Sequence, residues 1–275
     1  MIELPEARTI AKDLRKSILG KTITNVGGNF TDHKFTFYHD DPLTYSGLIT
    51  GKQVTDIVDR NFYVEIVIED YLLLFRDGAN IRYYSQTSLV PPNKSKLLIE
   101  FDDGSCLNVT TSMYCMIAVI RNEDSVANTY YGLEINGVGA LDDEFTYEYF
   151  VGLIDDKVGK LSIKGFLATE QRILGIGNGV VQDIMFNAEL RPKRKVNTLN
   201  EMELRGLYNA TVTTLAEMVA KGGRDIEKNI YGTAGGYPTI LSSKSYKNGC
   251  PACGEEIIKE QFLGGSIYYC PNCQK

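Results

Sequence analysis

Two Cys-x-x-Cys pairs constrain this chain more than anything else in it. Cys250-Pro251-Ala252-Cys253 and Cys270-Pro271-Asn272-Cys273 stand sixteen residues apart, the spacing of a four-thiolate zinc site. Each pair predicts a tight turn that aims two sulfurs at one point. Ile257-Ile258 and Ile267-Tyr268-Tyr269 read as two strands, joined by Phe262-Leu263-Gly264-Gly265-Ser266, a hairpin turn whose glycines accept positive φ. Two disulfides or four unrelated thiols are the alternatives, and an intracellular chain disfavours disulfides. A ribbon this small buries too little to fold alone, so a structural Zn²⁺ must hold it together.

The rest of the chain supplies the body that this ribbon serves. At 275 residues it suits one large domain or two medium ones, and 43% hydrophobic residues allow a real core. No apolar run approaches membrane-spanning length. Met1-Ile2-Glu3-Leu4-Pro5-Glu6 is acidic and lacks the basic start and apolar core of a signal peptide, so the cytoplasm is the expected location. Cys106 and Cys115 lie in alternating apolar sequence and read as buried thiols. His33 and His39, the only histidines, lie far from the cysteine pairs and read as surface residues rather than ligands. A net charge of −6 argues against a nucleic-acid partner until its distribution is considered. Residues 1–150 hold 13 basic and 22 acidic side chains, residues 151–275 hold 16 and 13. A sign change of this kind is expected if the C-terminal half meets a polyanion. Arg191-Pro192-Lys193-Arg194-Lys195 is the densest basic run, a weak signal alone because most such runs are solvated surface.

Periodicity divides the chain further. Glu6–Leu19 has a helical apolar period, ended by Gly20. Thr22–Val26, Phe35–Tyr38, Gln53–Val58, Tyr63–Ile68, Tyr71–Phe75, Lys96–Phe101 and Cys106–Thr110 alternate as strands, with turns at Glu69-Asp70 and Asp102-Asp103-Gly104; Met113–Ile120 is ambiguous. From Thr146 the period is helical again, through Tyr149–Ile154, Leu161–Leu167, Val180–Asn187 and the long Glu201–Lys221, which Gly222-Gly223 caps. The expected class is α+β and multidomain. A helix and an antiparallel β sandwich occupy 1–130, a helical domain 131–228, and a glycine-rich link with the zinc ribbon 229–275.

This order resembles the formamidopyrimidine-DNA glycosylase/endonuclease VIII family of base-excision repair enzymes. The resemblance is carried by Glu3-Leu4-Pro5-Glu6, by Ile163-Lys164 to Gly175-Ile176-Gly177-Asn178, by Gly222-Gly223 and by the terminal ribbon ending in Gln274. A dinucleotide-binding reading of Gly175-x-Gly177-x-Gly179 is poorer, because no strand precedes it and the glycine spacing is wrong. The resemblance implies a helix–two-turn–helix module and a zinc hairpin that grip double-stranded DNA as a monomer. It implies that Asn178 bonds a phosphate, that Lys164 and Lys160 match backbone-contacting lysines, and that Lys96 stands near a DNA-contacting position. The glycines let the backbone approach the phosphodiester. Asn178 as a capping residue is the plainer alternative.

The same resemblance implies extrusion of the damaged nucleotide and attack on the sugar by the amine of an N-terminal proline, with the adjacent glutamate, Glu3, protonating the opening sugar and Glu6 also present to position it. Here the chain departs from the pattern. Position 2 is isoleucine, whose bulk opposes removal of Met1, so an α-amine would sit one residue away from the attacking position. Phe62 replaces a catalytic lysine, Gly264-Gly265-Ser266 lacks the hairpin arginine, and Ala79 is too short for the methionine that fills the vacated stack. No arginine occurs in Thr110–Cys115, where Tyr114 alone replaces the expected aromatic. Two functions follow as expectations. One is a DNA glycosylase that excises an oxidised base by hydrolysis, with Glu3 and Glu6 as its carboxylates and little AP-lyase activity. The other is a catalytically inactive protein that binds damaged DNA, in which Glu3 and Glu6 are first-turn helix charges.

Overall fold

The computed structural model describes residues 1–28, 33–90, 95–124 and 137–275. They form two compact units, one of Met1–Asn136 with Ile226–Gly235 and one of Gly137–Asp225 with Gly236–Lys275. The 130/131 boundary expected from the sequence lies outside the described residues. Among those residues, no helix is long and apolar enough to cross a membrane.

The first unit opens with α1 (Leu4–Ile18), whose buried stripe of Ala7, Ile10, Ala11, Leu14 and Ile18 follows the helical period. It packs on β3 (Val54–Arg60) and β4 (Tyr63–Ile68). The other strands are β1 (Ile23–Gly28), β2 (Thr36–His39), β5 (Tyr71–Tyr84), β6 (Leu97–Phe101) and β7 (Cys106–Arg121). They join in one hydrogen-bonded sheet in the order β1-β6-β7-β5-β4-β3. Every pairing on that path is antiparallel, while β2 runs parallel to β7 from Thr36↔Cys115 to His39↔Ala118. A short helix, α2 (Tyr45–Ile49), buries Tyr45 and Ile49 beneath β1. Ile230 of the returning segment completes the same apolar core, and its carbonyl accepts the Tyr83 N–H at 2.9 Å.

Two strands run far beyond their expected ends. The sequence suggests that β5 stops at Phe75 and β7 at Thr110, but each continues through a bulge. The register between them shifts between Asp77 and Ala79, and Asp77 and Met113 adopt φ of 61° and 66°. Gly78 makes the crossing possible: a Cβ there would lie 1.8 Å from the Ser112 carbonyl oxygen. The polar residues of the bulge break the alternation, and so the pattern hides one continuous strand as two.

The second unit is helical, with α3 (Tyr147–Gly152), α4 (Ile163–Ala168), α5 (Val180–Asn187) and α6 (Glu201–Ala220). Thr146 and Ser162 cap α3 and α4 through their hydroxyls, and Asn200 with Glu203 forms a capping box on α6. Phe145, Phe150, Phe166 and Tyr208 meet ring to ring in the core, at centroid distances of 5.3 to 6.1 Å. The ribbon follows as β8 (Ile258–Phe262) and β9 (Gly265–Tyr269). Its turn lies at Leu263 and Gly264, at φ of 49° and 75°: Gly264 takes the positive φ expected of the turn glycines, while the second left-handed position falls on Leu263 and not on Gly265.

Candidate active site, nucleic-acid interface and metal centre

At the start of the chain, Glu3 is the N-cap of α1 and Glu6 its third residue. The Glu3 side chain accepts from the Glu6 backbone, while the Glu3 N–H donates to Glu6 Oε2 at 3.3 Å. Both carboxylates are buried, at 3% and 6% exposure. The structure therefore brings the two predicted catalytic residues together and engages both in a reciprocal cap.

The nitrogen of position 2 is also engaged. The Ile2 N–H donates to the Asp77 carbonyl at 2.6 Å, and the Ile2 side chain is buried. The α-ammonium of Met1 lies one residue upstream, 2.7 Å from Glu227 Oε1. Phe62, in the place of the expected lysine, is buried with its ring 5.0 Å from that of Tyr63. The cation at this place comes from the neighbouring strand instead. Arg76 pairs with Tyr63 in register, stacks its guanidinium 4.7 Å from the Phe62 ring and donates from Nη1 to the Tyr63 hydroxyl at 2.9 Å. Its Nε lies 3.4 Å from Asp77 Oδ2. Burial raises the Asp77 carboxyl above the usual carboxylate range, against the lowering pull of Arg76 and of the N-terminal ammonium.

The bulge that positions Asp77 also thrusts side chains outward. Met113 is 78% exposed and Tyr114 43%, neighbours at the crest of β7. Tyr114 was legible as a replacement aromatic; Met113 was not, because its strand was ambiguous and its left-handed backbone has no sequence signature. Lys96 lies at the root of this sheet and is buried, with its carbonyl accepting from the Tyr38 hydroxyl at 3.0 Å.

In the second unit the predicted contact residues converge on the ribbon. Lys164 is buried at 2% exposure, and its Nζ donates to the Phe262 carbonyl at 2.6 Å; burial lowers the pKa of its ammonium. Asn178 Nδ2 donates to the Ser266 carbonyl at 3.3 Å, and its Oδ1 is buried with no hydrogen-bond partner. A Cβ on Gly265 would come within 2.9 Å of that oxygen, so glycine lets the hairpin lie against the 175–178 loop. Gln182 of α5, which no sequence signal singles out, is the third tie. It donates to the Ser266 carbonyl at 3.2 Å and accepts the Tyr268 N–H at 3.0 Å. Lys160, by contrast, is exposed. The basic run at 191–195 is largely turned to internal work. Arg191 donates to the Gln274 and Pro271 carbonyls at 2.9 and 2.7 Å, Lys193 pairs with Glu260, and Arg194 forks onto Glu203 at 2.7 and 2.8 Å.

The four cysteines converge as their spacing predicts. Their sulfurs all lie within 4.8 Å of one another, with Cys250–Cys273 at 3.8 Å and Cys253–Cys270 at 3.5 Å. A tetrahedral ion with metal–sulfur bonds of ~2.3 Å requires edges of ~3.8 Å, so the donor set and its geometry fit a metal ion. Hydrogen bonding from the Glu255 backbone, then from Asn272, pulls the Cys253 thiol down to about 6. Its hydrogen bond to Cys253, followed by burial, pushes Cys273 up to about 12. Neighbouring thiolates cannot all ionise without a cation among them. Gln274, fully buried, backs the site by accepting the Cys270 N–H and donating to the Leu190 carbonyl, both at 2.8 Å.

Residues 137–229 match the Formamidopyrimidine-DNA glycosylase H2TH domain. The whole chain aligns at 31% identity with all of a formamidopyrimidine-DNA glycosylase of Lactobacillus delbrueckii subsp. bulgaricus. It aligns at 28% identity with 99% of one from Brevibacillus brevis. Among solved structures it is similar to the MutM (Fpg) protein of Thermus thermophilus, with a TM-score of 0.81, 24% identity and coverage of 99% of this chain and 98% of that one. It is also similar to Lactococcus lactis Fpg in complex with DNA containing N7-benzyl-Fapy-dG, with a TM-score of 0.84, 22% identity and 99% coverage of both chains.

Proposed function

The chain belongs to the formamidopyrimidine-DNA glycosylase family, and on that premise we propose that it is a repair glycosylase that hydrolyses an oxidised base from damaged duplex DNA without cutting the strand. The observation that carries this reading is Ile2, which offers no secondary amine where the family's proline would attack, beside Phe62 buried in the place of the expected lysine. A Schiff base needs that amine; base release by water does not. Glu3 faces the developing charge on the sugar, and Glu6 fixes its orientation through the capping box.

Binding rests on the second unit. The 175–178 loop, with Asn178 and the exposed Lys160, meets phosphates, and Lys164 acts by seating the hairpin. Lys96 supports the sheet from which Met113 and Tyr114 project, and these two apolar side chains serve as the wedge between bases. Zn²⁺ on Cys250, Cys253, Cys270 and Cys273 holds the ribbon and takes no part in the reaction. The protein acts as a cytoplasmic monomer on DNA.

Duplexes bearing 8-oxoguanine, formamidopyrimidine, an oxidised pyrimidine or an abasic site test the reading. The expected result is base release with no borohydride-trapped adduct, lost in Glu3→Gln. A trapped adduct on the wild type would return the chemistry to the amine route. The reciprocal burial of Glu3 and Glu6 favours a second reading, a damaged-DNA-binding protein without activity. Retained lesion binding with no base released from any duplex would establish it.

A further inference from the structure

The hydrolysis proposed above needs a group to take a proton from water, and the capping box engages both carboxylates selected from sequence. A third carboxylate lies beside them. Asp77 sits on the β5 bulge with a left-handed backbone at φ 61°, a conformation that costs a non-glycine residue energy and that persists where the surroundings enforce it. Three contacts enforce it here: the Ile2 N–H on its carbonyl, the Arg76 Nε near its Oδ2, and the close crossing of Gly78 over Ser112. The Asp77 side chain is 24% exposed, and the residue is half-buried where Glu3 and Glu6 are buried. It lines a cavity of ≈ 20 Å³ with Met1, Ile2, Glu6 and Arg82, more than the ~10–15 Å³ that one water needs.

We infer that Asp77 is the general base of this site, holding and deprotonating the water that replaces the absent amine nucleophile. This assignment rests on the hydrolytic reading. The water oxygen bonds to the sugar C1′ as its proton passes to Asp77. The C1′–N bond breaks with its electron pair leaving on the base, which takes a proton from solvent. Asp77 then releases its proton to solvent, so one water is consumed and no other reactant is needed. The charged and titratable groups facing Asp77 are Arg76 and Arg82 on its own strand, the Met1 ammonium, Glu6 of α1, Glu227 and Lys228 of the returning segment, and Cys115 of β7. Burial raises this carboxyl above the ordinary aspartate value, against the lowering pull of Arg76 and the Met1 ammonium, the direction that makes a carboxylate the stronger base.

Single-turnover base release by the full-length protein, on the lesion duplexes above and across pH 4–8, tests the assignment. Wild type is expected to show a rate that rises with pH through one carboxylate ionisation. Asp77→Asn is expected to lose ~10²-fold or more in rate and to lose that acid limb, with duplex affinity unchanged. Asp77→Glu is expected to restore part of the rate with a displaced limb, a readout that separates chemistry from folding. Base release by Asp77→Asn within about threefold of wild type, well short of the usual effect of a lost general base, would overturn Asp77 and leave the glycosylase reading standing. A wild-type profile with no carboxylate limb would do the same. Wild type that binds these duplexes and releases no base would remove the glycosylase reading and this assignment together.

Discussion

The N-terminal end of the first unit and the metal hairpin of the second differ in how far they follow the family's pattern. At the hairpin the spacing of the four cysteines and the 175–178 loop are kept and the expected arginine alone is missing, replaced within Gly264-Gly265-Ser266. At the N-terminus the helix, its proline and both glutamates are kept, while position 2, the lysine place and the wedge loop all carry other residues. The contrast shows what each region is answerable to. A metal knuckle fails outright if one ligand changes, whereas a helix cap can stay intact while the residues beside it are replaced.

The largest expected effect lies on the hairpin side. Removing the metal with a chelator, or replacing a ligand by Cys270→Ser, forfeits a binding free energy of order 10 kcal/mol that is also folding energy. Lesion-duplex binding at physiological salt should vanish while the first unit keeps its thermal transition, measured by calorimetry with metal analysis. A hairpin that stays folded without metal would erase the contrast. On the other side, Gly78→Ala drives a Cβ into the Ser112 carbonyl and should cost roughly 3 kcal/mol or more, read as a lowered denaturation midpoint. Lys164→Met comes next. It removes the bond to the Phe262 carbonyl without opening a cavity, so a loss of about 1–3 kcal/mol and weaker DNA binding are expected, even though this lysine is buried. The smallest effect is a control remote from both sites. Lys21 lies 2.7 Å from Asp103 and holds that carboxyl down to about 2, helped by Ser105. Its stabilisation is full above the ordinary value near 3.8 and is lost as pH falls through about 2. At this exposed pair Asp103→Asn should cost less than about 1 kcal/mol near neutral pH, measured by urea unfolding.

Much of the architecture was legible because the residues that set it act locally. Tyr63–Ile68 and Val180–Asn187 begin and end where their periods do, and Gly264 takes the positive φ expected of a turn glycine. What stayed hidden depends on partners distant in sequence. The bulge at Asp77 and Met113 interrupts two alternating patterns, so β5 and β7 each read as shorter strands. The parallel pairing of β2 follows from the way the chain crosses the sheet, to which its own four residues contribute no signal. At the candidate site, Glu3 and Glu6 were readable as a pair, but their mutual cap left the accessible carboxylate to Asp77, whose Asp-Gly neighbourhood suggests only a turn. The charge count of the second half was right and its interpretation incomplete, because Arg191, Lys193 and Arg194 find acceptors within their own unit.

Arg191 has a practical consequence. Its guanidinium is tied to the carbonyls of Pro271 and Gln274, inside and just beyond the second cysteine pair, so ejecting the ion also unleashes a cation. A stripped preparation would then cling to any polyphosphate in dilute buffer, damaged or not, and gel-shift bands from aged or oxidised samples would mimic the lesion recognition proposed for the metal-loaded protein.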